Sequence, residues 1–370
     1  MLHKHFGQHA ETIFERSSLL QYLNIKTKSA SSGAKSRGSF ANHYAVYVLV
    51  EDYIRNGFTS DRKGQYQSYQ GARFSDIFRR QRELPFGSKL QNHALNSRCN
   101  EEFIKYFKAS DEGPILRDVD TLRYWINEKL LIISIEINGY KKDINIGDTV
   151  IEIINRYIVA KQEAFNNFVD LCESVKMISK TNSTHAVQFI RDQIKPNVDA
   201  RIFEIVSYTI LKEHYSNTTI YWGYTSDDLV QECLVLYKTG KTNANDGGID
   251  FVMRPLGRFF QVTETVSAEK YFLDIDKVNR FPLTFVIKSE DTEELIRNKI
   301  RTEAISKYHI DIIVDKFMSS IEEIINVPKL IEIFDDICKL NQMDTVIDEI
   351  IIQSRVEFNI EETEPTETDE

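Results

Sequence analysis

Two polar residues interrupt apolar, strand-like segments in the second half of the 370-residue chain. Asp250 follows Gly247-Gly248 and precedes an apolar run, which would place its carboxylate at the mouth of a sheet. Gln261, eleven residues later, has aromatic and aliphatic neighbours, among which an amide is unusual. Oxygen atoms on two adjacent strands can together ligate a hard cation such as Mg²⁺. The simpler interpretations are a turn carboxylate after two glycines and a polar strand residue.

The segments around these residues predict a mixed α/β core. Asp199 is a good N-cap for a helix that continues to about residue 213, because an Asp side chain accepts hydrogen bonds from the first backbone amides. Apolar runs and amphipathic spacing define the elements that follow. In chain order they are a strand at Thr219–Trp222, a helix at 227–237, strands at 249–253 and 258–265, a helix at 267–278 and a buried strand at Leu283–Ile287. This alternation is typical of a sheet covered by helices.

Gly247-Gly248-Ile249-Asp250, the strand with Gln261, the crossover helix and the buried strand together resemble the nuclease core of the PD-(D/E)XK superfamily. The resemblance covers about residues 199–288, and in particular it is to type II restriction endonucleases and Mrr-like nucleases with a Gly-Gly-x-Asp … Gln-x-Lys motif. It implies that Asp250 and Gln261 bind Mg²⁺, with the carboxylate of Glu204 on the preceding helix as a further ligand. Such a metal ion activates water and neutralises charge on the reacting phosphate. The alternative for Glu204 is an ordinary surface glutamate.

The chain departs from the family motif at the catalytic lysine. Residue 263, two positions after Gln261 and on the same side of the strand, is a threonine. Either Lys270 reaches back from the next helix, or Glu264 becomes a metal ligand through a bulge, or the site is inactive. The alternative for Lys270 is an exposed helix residue with acidic neighbours. The resemblance therefore implies Asp250, Gln261, Thr263 and Lys270 as catalytic residues and Asp250, Gln261, Glu204 and Glu264 as metal ligands.

Charge is distributed unevenly along the chain. The net charge is −10, which by itself disfavours a nucleic-acid partner, but residues 1–110 hold 17 Lys and Arg against 9 Asp and Glu. Arginine pairs with guanine, and Asn or Gln with adenine, in the major groove. By this chemistry we predict a DNA-binding set of Lys35, Arg37, Arg79, Arg80, Arg82, Lys89, Gln91 and Asn92. The alternative is a solvated basic surface over core aromatics.

The predicted organisation has four parts. Residues 1–195 form a largely helical DNA-recognition domain with a β-hairpin at 124–137 and a long helix at 149–179, and its residues 1–110 are basic. Residues 196–310 form a restriction-endonuclease-like, mixed-sheet α/β core flanked by helices, and 311–356 a helical extension. Residues 357–370 are acidic and are predicted to be a disordered tail.

The function implied is a type II-like, site-specific restriction endonuclease that hydrolyses double-stranded DNA with Mg²⁺ and leaves 5′-phosphates. Its expected partners are double-stranded DNA, a second copy in a homodimer, because two-fold symmetry suits cleavage of both strands, and a cognate DNA methyltransferase encoded nearby. The alternative is a catalytically degenerate DNA-binding or defence-accessory protein. A weaker alternative is a helical scaffold without a nucleic-acid role.

Other chemistries find little support in the sequence. The four cysteines are far apart, which predicts free thiols in a cytoplasmic protein. No apolar run is long enough for a membrane span. Gly240-Lys241-Thr242 lacks the earlier glycine and the preceding strand of a phosphate-binding loop.

Overall fold

The computed structural model describes residues 1–28, 40–88, 90–108, 112–179, 183–240 and 249–358. The chain is a mixed α/β protein, as the sequence predicts, and it divides into two compact units, Met1–Ala164 and Phe165–Glu370. The division falls within a long helix at Gly147–Ser179, upstream of the boundary that we predicted after residue 195.

The N-terminal unit is mostly helical. Its helices are α1 (Leu2–Phe6), α2 (Ala10–Arg16), α3 (Ser18–Thr27), α4 (Phe40–Arg55), α5 (Phe74–Glu83), α6 (Cys99–Tyr106) and the first part of α7 (Gly147–Ser179). Its strands are β1 (Ala72–Arg73), β2 (Ile115–Asp118), β3 (Arg123–Ile126), β4 (Ile132–Ile137) and β5 (Tyr140–Asn145). Short 3₁₀ or π-helical turns lie at Gly7–His9, Tyr66–Ser68, Ala94–Arg98 and Glu128–Leu130.

The predicted hairpin at 124–137 is wrong in its pairing. β3 pairs with β1 and β2, and β4 pairs instead with β5 across Asn138 and Gly139. Both turn residues have positive φ, 53° and 81°, which is the two-residue turn that Asn-Gly favours. The predicted break at 127–129 is a 3₁₀ turn that leads from one sheet to another, so the strands on its two sides never pair with each other.

The C-terminal unit contains the rest of α7 and a five-stranded sheet. Its other helices are α8 (Ser183–Asp192), α9 (Ala200–Ser216), α10 (Ala268–Lys277), α11 (Glu293–Tyr308), α12 (Asp311–Met318), α13 (Val327–Lys339) and α14 (Met343–Phe358). Its strands are β6 (Thr219–Trp222), β7 (Val230–Cys233), β8 (Val235–Lys238), β9 (Phe251–Arg254), β10 (Arg258–Thr263), β11 (Leu283–Ile287) and β12 (Ile321–Ile325).

The sheet has the order β12-β11-β10-β9-β8. β8, β9 and β10 are antiparallel neighbours, α10 crosses over from β10, and β11 then returns parallel to β10. All five residues of β11 are buried, as expected for a central parallel strand covered on both faces. α9 covers one face, where Tyr208 packs against Phe251, and α10 covers the other, where Tyr271 stacks on Phe285.

Three predictions for this unit are wrong, at least in part. Residues 230–238 form β7 and β8 and not a helix, because β8 gains a ladder of hydrogen bonds from β9, which begins at residue 251. The expected helical extension contributes β12 to the sheet beside β11. In addition, Glu357 and Phe358, which we assigned to the disordered tail, end helix α14, whereas the remainder of that tail lies outside the described residues.

Substitution of Gly71 tests how tightly the N-terminal unit is packed around Trp125. An added Cβ at Gly71, where φ is +81°, would lie 2.5 Å from Cε2 of Trp125, whereas Gly64 has φ of +79° and open space around it. We expect Gly71→Ala to lower the free energy of unfolding by about 2–4 kcal/mol, from strain plus steric overlap. Gly64→Ala should cost about 1 kcal/mol, from backbone strain alone. Urea denaturation measures both, and equal losses would contradict the predicted overlap.

Candidate functional site

Asp250 lies where β9 begins, beside the carboxyl end of β10. The ladder pairs Phe251 with Phe260, so its continuation places Asp250 opposite Gln261. The amide of Asp250 donates to the carbonyl of Phe260 at 2.8 Å, and the amide of Val262 donates to Oδ2 of Asp250 at 2.6 Å. The side chain thus takes the place of a backbone acceptor. This hydrogen bond holds the carboxylate against the strand that carries Gln261.

Gln261 and Thr263 lie on the face of β10 that α10 covers. Nε2 of Gln261 donates to the carbonyl of Val262 at 3.3 Å, while its Oε1 is buried and has no hydrogen-bond partner within the described part of the chain. Nζ of Lys270, on α10, donates to Oγ1 of Thr263 at 2.7 Å. An ammonium group therefore reaches the position two residues after Gln261, and it does so from the helix and not from the strand.

Glu204 belongs to a buried ion-pair cluster on the α9 side of the sheet. Nζ of Lys238, at the end of β8, lies 3.0 Å from Oε1 of Glu204 and 3.6 Å from Oε2 of Glu357 on α14. Burial opposes the charge on Lys238, but the carboxylates of Glu204, Glu357 and Asp250 outweigh it and raise the pKa of Lys238. Lys238 thus joins three elements, and it lies close enough to Asp250 for the two charges to interact.

Glu264 lies on the α9 side as well. Its Oε1 is 2.6 Å from Nζ of Lys288, which also donates to the carbonyl of Val198 just before α9. The side chain of Lys288 is only 2% exposed, so its charge requires such a partner. β10 pairs with β11 in unbroken register from Phe259 to Thr263, so no bulge in this stretch turns Glu264 toward Gln261.

Lys238 and Lys288 are not among the site residues predicted from the sequence. Lys288 directly follows the buried strand Leu283–Ile287, and a lysine at the carboxyl end of a predicted central strand is a usable signal. Lys238 had no such signal, because its strand was assigned to a helix.

Two side chains at this edge, Asp250 and Gln261, carry the kind of oxygen donor that Mg²⁺ binds. Mg²⁺ usually takes one or two carboxylates and completes its shell with water and substrate phosphate. Asp250 offers a carboxylate, and Gln261 offers Oε1, which is buried and has no hydrogen-bond partner among the residues that the structure describes. The other two predicted ligands, Glu204 and Glu264, are held by lysines. Within the described ranges, no cluster of three or more His, Cys, Asp or Glu side chains could hold a metal ion.

The predicted DNA-binding residues differ in solvent exposure and in the hydrogen bonds that their side chains already make. Arg79 is 72% exposed, and Gln91 is exposed, whereas Asn92 is partly buried. Arg80 donates twice to Glu51, at 2.8 and 2.9 Å, and this carboxylate raises the pKa of the guanidinium. Arg82 donates to the carbonyl of Ser88. Lys35, Arg37 and Lys89 lie outside the described residues, as do the glycines before Ile249.

The chain was compared with known protein families, curated proteins and solved structures. No protein-family model, curated protein or solved structure matches the chain. Across the residues that the structure describes, no helix has both the length and the apolar character required to cross a bilayer.

Lys238 provides a test of the buried cluster. Lys238→Met would leave Glu204 and Glu357 without their shared cation, so we expect the free energy of unfolding to fall by about 3 kcal/mol. Lys339→Met is the matched control, because Lys339 pairs with Asp336 on the surface with 74% of its side chain exposed. This control should change stability by less than about 0.5 kcal/mol. Similar values for both variants in urea denaturation would contradict the buried cluster.

Proposed function

We propose that this protein is a Mg²⁺-dependent endonuclease that cleaves double-stranded DNA, with Asp250, Gln261 and Lys270 as its catalytic residues. The observation that carries the proposal is the 2.7 Å hydrogen bond from Nζ of Lys270 to Oγ1 of Thr263. It brings an ammonium group to the strand position at which the nucleases that this sequence resembles have their lysine. In this proposal Lys270, on α10, takes the place of the lysine that the family motif has at position 263.

The order of elements supports the same proposal. A helix with a carboxylate precedes the sheet, Asp250 begins one strand, Gln261 lies on the next, and α10 crosses over to the buried strand β11. These are the elements on which the resemblance depends, and they occur in that order. The structure adds that Asp250 and Gln261 are cross-strand neighbours.

Each residue has a distinct part in the proposed reaction. Asp250 and Gln261 would hold Mg²⁺, which when bound activates water and neutralises charge on the scissile phosphate. Lys270, anchored by Thr263, orients the attacking water and stabilises negative charge on phosphate oxygens. Water adds to phosphorus, the bond to the 3′ oxygen breaks, and the products carry 5′-phosphate and 3′-hydroxyl ends. Lys238 and Lys288 keep the neighbouring glutamates neutralised beside this anionic substrate.

Cleavage of both strands would require two such sites. A homodimer with two-fold symmetry presents them to the two strands of a palindromic duplex. We place the enzyme in a cytoplasmic restriction-modification system, with a DNA methyltransferase encoded nearby to protect host DNA.

A second candidate function is DNA binding without cleavage. It is favoured by the ion pairs Lys238–Glu204 and Lys288–Glu264, which occupy two carboxylates that an active site would otherwise offer to metal. In that case the protein would act as a defence accessory with a degenerate nuclease core.

Plasmid cleavage distinguishes these two functions. We expect the protein to cut supercoiled DNA in Mg²⁺, and Asp250→Asn to reduce the rate by at least about 100-fold, because Asn keeps the hydrogen bond from Val262 but loses the charge that binds metal. Asp276→Asn, an exposed carboxylate change on α10, should leave the rate unchanged. DNA binding without cleavage in Mg²⁺ or Mn²⁺ would establish the second function, and cleavage that survives Asp250→Asn would refute the first.

A second set of variants tests whether Lys270 takes the place of the motif lysine. Lys270→Met should reduce the cleavage rate by about 100-fold, whereas Thr263→Lys combined with Lys270→Met should recover at least a tenth of it, because the ammonium then comes from the strand. Lys307→Met, a surface lysine on α11, is the control. Thermal unfolding identifies variants that fail to fold. Full activity of a folded Lys270→Met protein would exclude Lys270 from the reaction.

A further inference from the structure

The cluster of Glu204, Lys238 and Glu357 has the form of a cation site in which the cation is an ammonium group. Nζ of Lys238 lies 3.0 Å from Oε1 of Glu204 and 3.6 Å from Oε2 of Glu357. Glu204 lies on α9, Glu357 lies in the last turn of α14, and Lys238 ends β8. Carboxylates from two different helices thus converge on one cationic atom.

Water is largely excluded from this cluster. The exposed fraction of the side chain is 10% for Lys238, 8% for Glu204 and 5% for Glu357. Phe358, the residue after Glu357, stacks on Phe165 with 3.9 Å between ring centroids, and this contact fixes the end of α14. Solvent therefore screens these charges only weakly, and the two carboxylates require a cation at this position.

The cluster adjoins Asp250, the proposed metal ligand. In the ladder Lys238 pairs with Phe251, the residue after Asp250, and the amide of Thr239 donates to the carbonyl of Asp250 at 2.9 Å. Lys238 is also close enough to Asp250 for their charges to interact. The cluster and the proposed metal site therefore share one electrostatic environment.

The charges of these groups favour a single divalent ion. Asp250, Glu204 and Glu357 carry three negative charges and Lys238 carries one positive charge, which leaves two negative charges in excess. One Mg²⁺ at Asp250 and Gln261 balances that excess. A second divalent ion at the glutamates would have to displace the ammonium, because like charges a few ångströms apart repel strongly where solvent screens them weakly.

We infer that Glu204 and Glu357 form a divalent-cation site that the ammonium of Lys238 occupies, so that the chain binds one metal ion and not two. The inference rests on the proposed function for the metal ion at Asp250 and Gln261. Nucleases with two metal ions use the pair to stabilise both the attacking and the leaving oxygen. Here Lys238 is a positioning residue that holds both glutamates and leaves Asp250 to the single ion.

Removal of the ammonium should open this site to metal. Both carboxylate oxygens lie within 3.6 Å of one point, so shifts of about 1–1.5 Å would bring them to the distance of about 2.1 Å that Mg²⁺ requires. Two carboxylates are sufficient, because such an ion completes its shell with water. Lys238→Ala leaves room for the ion, whereas Lys238→Met removes the charge and fills the space with an unbranched side chain.

Lys288 provides a matched buried control. Its Nζ lies 2.6 Å from Oε1 of Glu264 and donates to the carbonyl of Val198, and its side chain is as well buried as that of Lys238. Lys288→Ala therefore removes a buried ammonium from one carboxylate and not from two. An extra metal ion in Lys238→Ala but not in Lys288→Ala would thus depend on the pair of glutamates.

Electron paramagnetic resonance of added Mn²⁺ counts bound ions without any need for cleavage. We expect one Mn²⁺ per chain for the unaltered protein, Lys238→Met and Lys288→Ala, and two for Lys238→Ala. Mn²⁺ at about 100 times its dissociation constant should raise the unfolding temperature of Lys238→Ala by at least about 5 °C more than that of Lys238→Met. Addition of Glu204→Gln to Lys238→Ala should abolish both gains.

The outcomes separate this inference from the proposed function. Two ions in the unaltered protein, or no extra ion in a folded Lys238→Ala protein, would overturn the role of Lys238 even if plasmid cleavage establishes the nuclease. If Lys238→Ala does not fold even in Mn²⁺, the count for the unaltered protein decides, and a single ion that Asp250→Asn removes supports the inference. No ion in the unaltered protein but one in Lys238→Ala supports the glutamate site and refutes metal binding by Asp250 and Gln261. No ion in either protein overturns both.

Discussion

One constraint determines the arrangement of side chains at the carboxyl ends of β10 and β11. Charged groups that are buried there must be paired. Lysine side chains reach this edge from three different elements: Lys238 from β8, Lys270 from α10 and Lys288 from the end of β11. An unpaired ammonium in such surroundings would cost several kcal/mol. Each lysine therefore fixes a partner in place, and together these contacts join α9, α10, α14 and β10 around Asp250.

The alternation of side chains along β10 sorts these contacts onto two faces. Thr263 meets Lys270 beneath α10, whereas Glu264, the next residue, meets Lys288 on the side of α9. Because neighbouring strand residues point to opposite faces, Glu264 and Gln261 cannot serve one ligand without a bulge. The proposed chemistry therefore uses an ammonium from a helix together with a short set of oxygen ligands. It does not use the four-ligand set that the family resemblance implied.

The local elements around the site were largely predictable. The Asp199 cap, α9, β10, α10 and β11 have strong periodicity or continuous apolar character, and all of them form near the predicted positions. The errors lie where a strand depends on a distant partner. β8 is held by β9, and twelve residues separate the two strands in the chain. β12, with two glutamates in five residues, has no strand-like pattern of its own and forms beside β11.

Residue order and local periodicity were enough to predict that Asp250 and Gln261 lie on adjacent strands. They also showed that a threonine stands where the family motif has its lysine. They could not specify which charged groups would meet. Glu204, Lys238 and Glu357 are separated by 34 and 119 positions in the chain, and only the packing of α9, β8 and α14 makes them neighbours. The free energy of a buried ion pair depends on distance and exclusion of water, and both are properties of the assembled core. For that reason the sequence could name Lys270 and Glu264 as candidates near Gln261, whereas the contact of Lys270 with Thr263 and the pairing of Glu204 and Glu264 with lysines are decided only in the folded chain.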